Sequence, residues 1–378
     1  MRLIALDTET TTSNKGHPYD STNKMVCWSW AINDDLAIVD GAMLTKDLKY
    51  LTDGLLPYRK IVVGFNFKFD LHWLNKYGVS FDGKEIWDVQ IAEFILGNQT
   101  NPYPSLNDTC IKYGIPTKED VVKTQYWDKD IDTDAIPWDI LSSYAAHDAS
   151  ITLQCYHAQL KVMTPKQIKL CKLQCQDLVI LKEMETNGIP FDEQLCQTRA
   201  LEVDDQISAL NRELRKIYPN VPINFNSNDH LSAFLYGGTV VEDSKEHIGY
   251  YKSGERVGQP KYKNIEIKHH LPRLYEPLKG SEMKKDGLFS TNEGTLRKLK
   301  GKKEVISKIL ELSKLEKLNG TYYRGLVKLR NTMNWEVGEL HGNFNQTTTA
   351  TGRLSSSRPN LQNFATELQD IFISRYKD

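Results

Sequence analysis

The sequence predicts an α/β domain built on a mixed sheet, followed by a mainly helical region. Three observations carry this reading. Short apolar runs alternate with helical patterns over the first 165 residues, amphipathic segments dominate afterwards, and the charge changes sign between the two parts.

With 378 residues, 40% hydrophobic and 26% charged, the chain is long enough for two or three separate cores. No stretch approaches eighteen uncharged apolar residues, and the start MRLIALDTET lacks a signal-peptide pattern, so the sequence reads as cytoplasmic. The cysteines at 27, 110, 155, 171, 175 and 196 lack the paired spacing of a zinc site and read as buried thiols. Residues 1–165 carry 15 Lys and Arg against 22 Asp and Glu, whereas residues 166–378 carry 33 against 27. Within the second part, residues 243–330 hold 21 basic and 11 acidic side chains. An acidic module joined to a basic one fits a metal-dependent site on a polyanion-binding body; solvated lysine-rich helices are the plainer account of the charge alone.

Taken in order, residues 2–6 form a strand, 24–32 a second, and 36–39 a third after an Asn33-Asp34-Asp35 turn. A helix near 46–56 precedes the buried run Ile61-Val62-Val63-Gly64. Helices over 69–77, 87–96 and 106–113 are each closed by a glycine, at 78, 97 and 114. After an acidic loop at 128–134, a long helix from Trp138 runs towards Val162, where Thr164-Pro165 breaks it and a domain boundary is placed. Further helices cover 166–187, a stretch from an Asp192 cap to about 217, and 230–236 behind a cap at 226–229. A Lys-, Gly- and Pro-rich segment, 243–287, reads as a hairpin around Ser253-Gly254, and a basic amphipathic stretch runs over 302–330 with a break at Gly320.

Asp7 and Glu9 lie one residue apart at the end of the first strand, so a period of two sends both from one face. Two carboxylates side by side repel unless a divalent cation sits between them, and hard oxygens suit Mg²⁺ or Mn²⁺. Asn66-Phe67-Lys68-Phe69-Asp70 follows a buried strand and puts Asp70 at a helix start near the strand ends. Tyr144 and Asp148, at i and i+4, share one helix face. His72 and His147 lie near these acids and read as packing or surface residues.

Asp7-x-Glu9, Asn66-x-x-x-Asp70 and Tyr144-x-x-x-Asp148, in that order, resemble the three motifs of the DEDD exonucleases in their tyrosine-containing subclass. The resemblance implies a ribonuclease H-like α/β fold and two-metal hydrolysis of the 3′-terminal phosphodiester. Asp7 would bridge two divalent ions, Glu9 and Asp148 would hold the ion that generates hydroxide, and Asp70 would help hold the other. Tyr144 would orient the attacking water, and Asn66 would position the terminal nucleotide.

Further along, Thr349-Ala350-Thr351-Gly352-Arg353-Leu354-Ser355-Ser356 and Pro359-Asn360-Leu361-Gln362-Asn363 closely resemble a segment of family A DNA polymerases. That likeness implies that Arg353, Asn360, Gln362 and Asn363 contact DNA near the primer terminus. Minor-groove acceptors are common to all base pairs, so donors there check pair geometry without reading sequence. Residues 166–340 then resemble a thumb, with an insertion at about 243–287 and with Lys302, Lys303 and Lys308 tracking phosphates. The insertion reads as a surface hairpin in preference to a grip on DNA or a partner. Residues 341–378 resemble the start of a palm that stops before the first polymerase metal motif, with Asp378 in a turn and 371–373 as an unpaired apolar edge.

The combined expectation is the proofreading 3′-5′ exonuclease and DNA-binding portion of a split or truncated family A polymerase, of phage type, acting on primer-template and single-stranded 3′ ends. A second polypeptide would supply the fingers and remaining palm, so the chain alone would not polymerise. A stand-alone trimming exonuclease and a non-catalytic DNA-binding subunit are the alternatives.

Overall fold

The computed structural model describes residues 2–33, 37–117 and 121–376. The chain divides into two compact units, Met1–Glu193 with Leu326–Asp378, and Gln194–Gly325.

The first unit is organised by a five-stranded mixed sheet of order β3-β2-β1-β4-β5. Its strands are β1 (Leu3–Thr10), β2 (Met25–Asn33), β3 (Ile38–Leu44), β4 (Ile61–Gly64) and β5 (Glu85–Asp88). The central β1 runs antiparallel to β2 and parallel to β4. Burial on both faces explains its unbroken apolar run, Leu3 to Leu6, which is at most 2% exposed. The strand continues four residues past the expected end, so Asp7 and Glu9 sit within it, opposite Ser29 and Cys27.

Helices α1 (Lys68–Lys76), α2 (Val89–Leu96), α3 (Leu106–Tyr113) and α4 (Val121–Gln125) follow, then α5 (Trp138–Val162) and α6 (Pro165–Asn187). The break at Thr164-Pro165 is also the start of α6: Thr164 and Gln167 form a reciprocal capping box around a proline that needs no donor there. Two expectations need correction. Residues 85–88 form a strand before the helix starts, because the Asp88 side chain accepts from the Gln90 and Ile91 N–H groups and caps α2. The 46–56 stretch is a series of short irregular helical turns instead of one regular helix. The third strand begins at Ile38, and the expected turn residues Asp34 and Asp35, with Leu36, lie outside the described residues, as does Asp378.

After the short strand β6 (Ile189–Pro190), the second unit opens on α7 (Glu193–Arg215) and α8 (Asn228–Tyr236), where Ser227 accepts from the His230 N–H as a cap. A long hairpin, β7 (Gly238–Tyr250) and β8 (Pro260–Leu271), precedes α9 (Glu293–Leu296) and α10 (Lys303–Lys317). The core of this unit joins Leu214, Phe225, Phe234, Tyr236, Ile309 and Leu312. The break expected at Gly320 is a widened helical turn, Leu318–Tyr323, between α10 and α11 (Arg324–Thr332).

The chain then returns to the first unit. Its strand β9 (Glu339–Leu340) pairs with β6, and β10 (Asn343–Asn345) pairs with β11 (Ser355–Ser357). Arg330 holds Glu193 through two parallel bonds of 2.8 Å, and Gly338 N–H adds a third at 2.9 Å. The expected open edge at 371–373 is overturned. Phe372 bridges to Phe191, the Asp192 N–H donates to Ile371 O at 2.8 Å, and Ile371 is fully buried. The chain's own 190–192 segment takes the place of an outside partner.

Candidate active site

Two elements bring three of the four acids together. Asp7 and Glu9 come from β1, and Asp148 comes from α5, which packs across β1, β2 and β3. The approach is close because Ala145 and Ala149, on the inward face of α5, are fully buried and small. One carboxylate oxygen from each of Asp7, Glu9 and Asp148 lies within 4.8 Å of the other two. Glu9 and Asp148 are buried at 9% and 4% exposure, and Asp7 is half-buried. Three carboxylates at that spacing, with only hard oxygen donors, fit a divalent ion such as Mg²⁺ or Mn²⁺.

Asp70, the fourth acid expected there, is not among the three that converge and is fixed separately. It lies in the first turn of α1, after β4, and β4 is the parallel neighbour of β1. Its Oδ1 accepts from the Thr8 N–H at 2.9 Å and from the Thr8 hydroxyl at 2.6 Å. Burial pushes its carboxyl up to about 7, against those hydrogen bonds, which pull it down. A cation nearby would oppose the rise.

Tyr144 sits one turn before Asp148 on α5, half-buried, its ring edge-on to Trp127 with centroids 5.9 Å apart. Its groove is also lined by Ile140 and His147. Asn66 is exposed in the turn between β4 and α1, in the left-handed region at φ 51°. Asp88 holds that turn by accepting from the Phe67 N–H at 2.7 Å.

Asn66 also lines a cleft of the first unit together with Asn14, Lys15, Lys68, Tyr103 and Arg358. Nine non-glycine residues among those described have positive φ, and five of them (Asn14, Lys15, Asn66, Tyr103 and Arg358) line this cleft. Such backbone costs energy and persists where the surroundings impose it, commonly at binding sites. Beneath it lies a buried ionic cluster that the sequence did not disclose. Glu185 receives Lys68 at 2.5 Å, His72 at 2.8 Å and the Phe344 N–H at 2.6 Å. Burial raises the Glu185 carboxyl, but bonds from His72 and Lys68 and the Lys68 charge outweigh it and hold it below its usual range. Burial lowers Lys68 and His72 in turn. His72, read from sequence as a packing residue, is therefore part of this cluster.

The expected DNA-contacting residues fall in two places. Arg353, Asn360, Gln362 and Asn363 are exposed on the segment joined to the β10–β11 pair, with the 346–354 connection braced by a Thr349 hydroxyl bond to Arg353 O. Lys302 and Lys303 are exposed at the start of α10, whereas Lys308 is held by Glu304 at 2.6 Å and Glu213 at 2.7 Å.

Comparison with known proteins places this geometry. Residues 1–164 match the family described as 3'-5' exonuclease, and residues 261–375 match DNA polymerase family A. The chain is similar to the family A DNA polymerases, with a match to a 3'-5' exonuclease domain and to part of a polymerase domain of that family. DNA polymerase I of Borreliella burgdorferi is 28% identical over 309 residues, which cover 80% of this chain and 28% of that protein. DNA polymerase I of Synechocystis is 28% identical over 323 residues, covering 85% of this chain and again 28% of the relative. The thermostable DNA polymerase I of Thermus aquaticus is 32% identical over 184 residues, 49% of this chain and 17% of that one. The chain thus spans less than a third of the length of these relatives. Among solved structures, the POL domain of Pol1 from M. smegmatis, in complex with DNA primer-template and dNTP, aligns with a TM-score of 0.64 at 19% identity, over 97% of this chain and 52% of that one. That likeness is one of fold. In family A polymerases the exonuclease domain uses divalent metals, in keeping with the acidic cluster. No helix among the described residues is long and apolar enough to cross a membrane.

Proposed function

We propose that this chain removes nucleotides from DNA 3′ ends by metal-dependent hydrolysis, as the proofreading and DNA-holding portion of a family A polymerase in replication. The observation that carries the reading is the Asp7, Glu9 and Asp148 cluster, within 4.8 Å, inside the segment matching a 3'-5' exonuclease. Residues 1–165 form the exonuclease domain in this reading, 166–340 the thumb with its insertion, and 341–378 the start of the palm.

Two divalent ions, Mg²⁺ or Mn²⁺, would supply an acidified water and neutralise charge on the leaving 3′ oxygen. Glu9 and Asp148 would hold one ion and Asp70 the other, with Asp7 between them. The Tyr144 hydroxyl, on the same helix face as Asp148, would orient the water for attack on phosphorus. The cleft lined by Asn66, Lys15 and Arg358 would receive the last nucleotides of a frayed strand, with Asn66 against the terminal one. Arg353, Asn360, Gln362 and Asn363 would hold the duplex, with Lys302 and Lys303 on phosphates, and Lys308 joining only by leaving Glu213 and Glu304.

Nucleotide incorporation is assigned in this reading to residues outside these 378. A second polypeptide carrying fingers and the remaining palm is one arrangement that would provide them, and the cytoplasm is the place of action. The test is to incubate the purified chain with a 3′-mismatched primer-template, Mg²⁺ and four nucleotides. Shortening without extension is expected; extension by the chain alone, or no shortening, would overturn the reading.

A further inference from the structure

The β7–β8 hairpin has no use in the site described so far. Its base is anchored by the buried Val240 and Leu271 in the core of the second unit. Its strands hold 13 and 12 residues, roughly 40 Å at ordinary strand rise. From Lys245 to Lys263 every residue is exposed except the half-buried Gly249 and Tyr251, and among the described residues no further strand joins the pair. A bare two-stranded ribbon is marginal in water, so its distal half gains little for folding.

The chemistry of that distal half is specific. Lys245, Lys252, Arg256, Lys261 and Lys263 stand against two acids, Glu246 and Glu255. Among the described residues, none of the five cations forms an ion pair, in contrast to Lys308 on α10. Pairing puts His247 opposite Tyr262, and beyond a register shift Tyr250 opposite Pro260. The His247 ring meets Tyr250 and Tyr262 edge-on at 5.0 and 5.5 Å, yet the two tyrosines remain 60% and 53% exposed.

We propose that the distal hairpin is an arm for single-stranded DNA, its cations tracking phosphates and its ring cluster receiving unpaired bases. Resting on the reading that this chain handles DNA, it adds a second site, in the basic unit. Exposed aromatic rings among cations that form no ion pair, one of which, Lys261, already stands over the Tyr251 ring at 5.9 Å, are what an unpaired strand requires. A duplex would use the cations and leave the rings idle.

The test uses the full chain in EDTA with a labelled 30-nucleotide single strand protected by 3′ phosphorothioates, and a duplex of equal length. Changing the five cations to Gln should weaken single-strand binding about tenfold or more and flatten its log–log salt slope by as much as about 3.5, at roughly 0.7 per lost phosphate contact. Tyr250→Ala with Tyr262→Ala should weaken it about tenfold, whereas Tyr→Phe at both positions should not. Unchanged single-strand binding in both variants, or a loss confined to the duplex, would overturn the arm. Hydrolysis of a trinucleotide with Mg²⁺ should be unchanged in these variants. If the unmodified chain leaves the trinucleotide intact while the binding losses stand, the exonuclease reading fails and the arm survives.

Discussion

Thr8 donates both its N–H and its hydroxyl to a single oxygen of Asp70, at 2.9 and 2.6 Å. The residue between the two strand acids thus fixes the acid contributed by α1. Thr8→Val keeps the shape and the N–H bond but removes the hydroxyl. The expected cost is about 1.5–3 kcal/mol in denaturant unfolding, the range for a bond to a charged group. Hydrolysis should fall between about tenfold and a hundredfold if Asp70 is displaced, and Thr8→Ser should restore it.

Asp7, Glu9 and Asp148 crowd like charges, so removing one should not weaken the metal-free protein. Asp148→Asn is expected to unfold within about 0.5 kcal/mol of the original, or later, in EDTA. In the original chain, Mn²⁺ at a hundred times its dissociation constant should add about 2.7 kcal/mol of stability, and the variant should lose that gain. Thermal unfolding with and without metal reads both.

His17 predicts an acid-sensitive stability. Burial, then the nearby His341 and His72, lowers it to about 4, and its Nδ1 accepts from the Tyr19 N–H at 3.3 Å and the Trp335 indole N–H at 3.4 Å. The native ring stays neutral while the unfolded ring takes a proton below about 6.5, so stability is full above that pH and falls towards pH 4. The loss from this group is of the order of 3 kcal/mol. Urea midpoints across that range should drop, and His17→Gln should flatten the drop.

Ile371 is fully buried next to the Phe191–Phe372 bridge. Ile371→Ala should cost about 2–4 kcal/mol in urea unfolding, as large-to-small changes in cores do. An open edge at 371–373 would give almost no change.

The acids were legible because local periodicity reports them: a period of two for Asp7 and Glu9, and an i, i+4 step for Tyr144 and Asp148. The five-stranded sheet was legible except for 85–88, where Trp87 and the capping Asp88 read as the opening of a helix. Glycine stops and the Thr164-Pro165 break marked most helix ends for the same local reason. Long-range pairings were not legible. Thr8 with Asp70 spans 62 residues, and Glu185 with Phe344 spans 159; no local pattern encodes either. The closing of the 371–373 edge by 190–192 was hidden for the same reason.

The most direct test of the central claim is the product ladder of a 5′-labelled single strand incubated with the purified chain and Mg²⁺, alongside Asp7→Ala. Stepwise loss of nucleotides from the 3′ end, abolished by EDTA and by Asp7→Ala in a variant that still folds, is the predicted result. An intact strand, or equal shortening by Asp7→Ala, would contradict it.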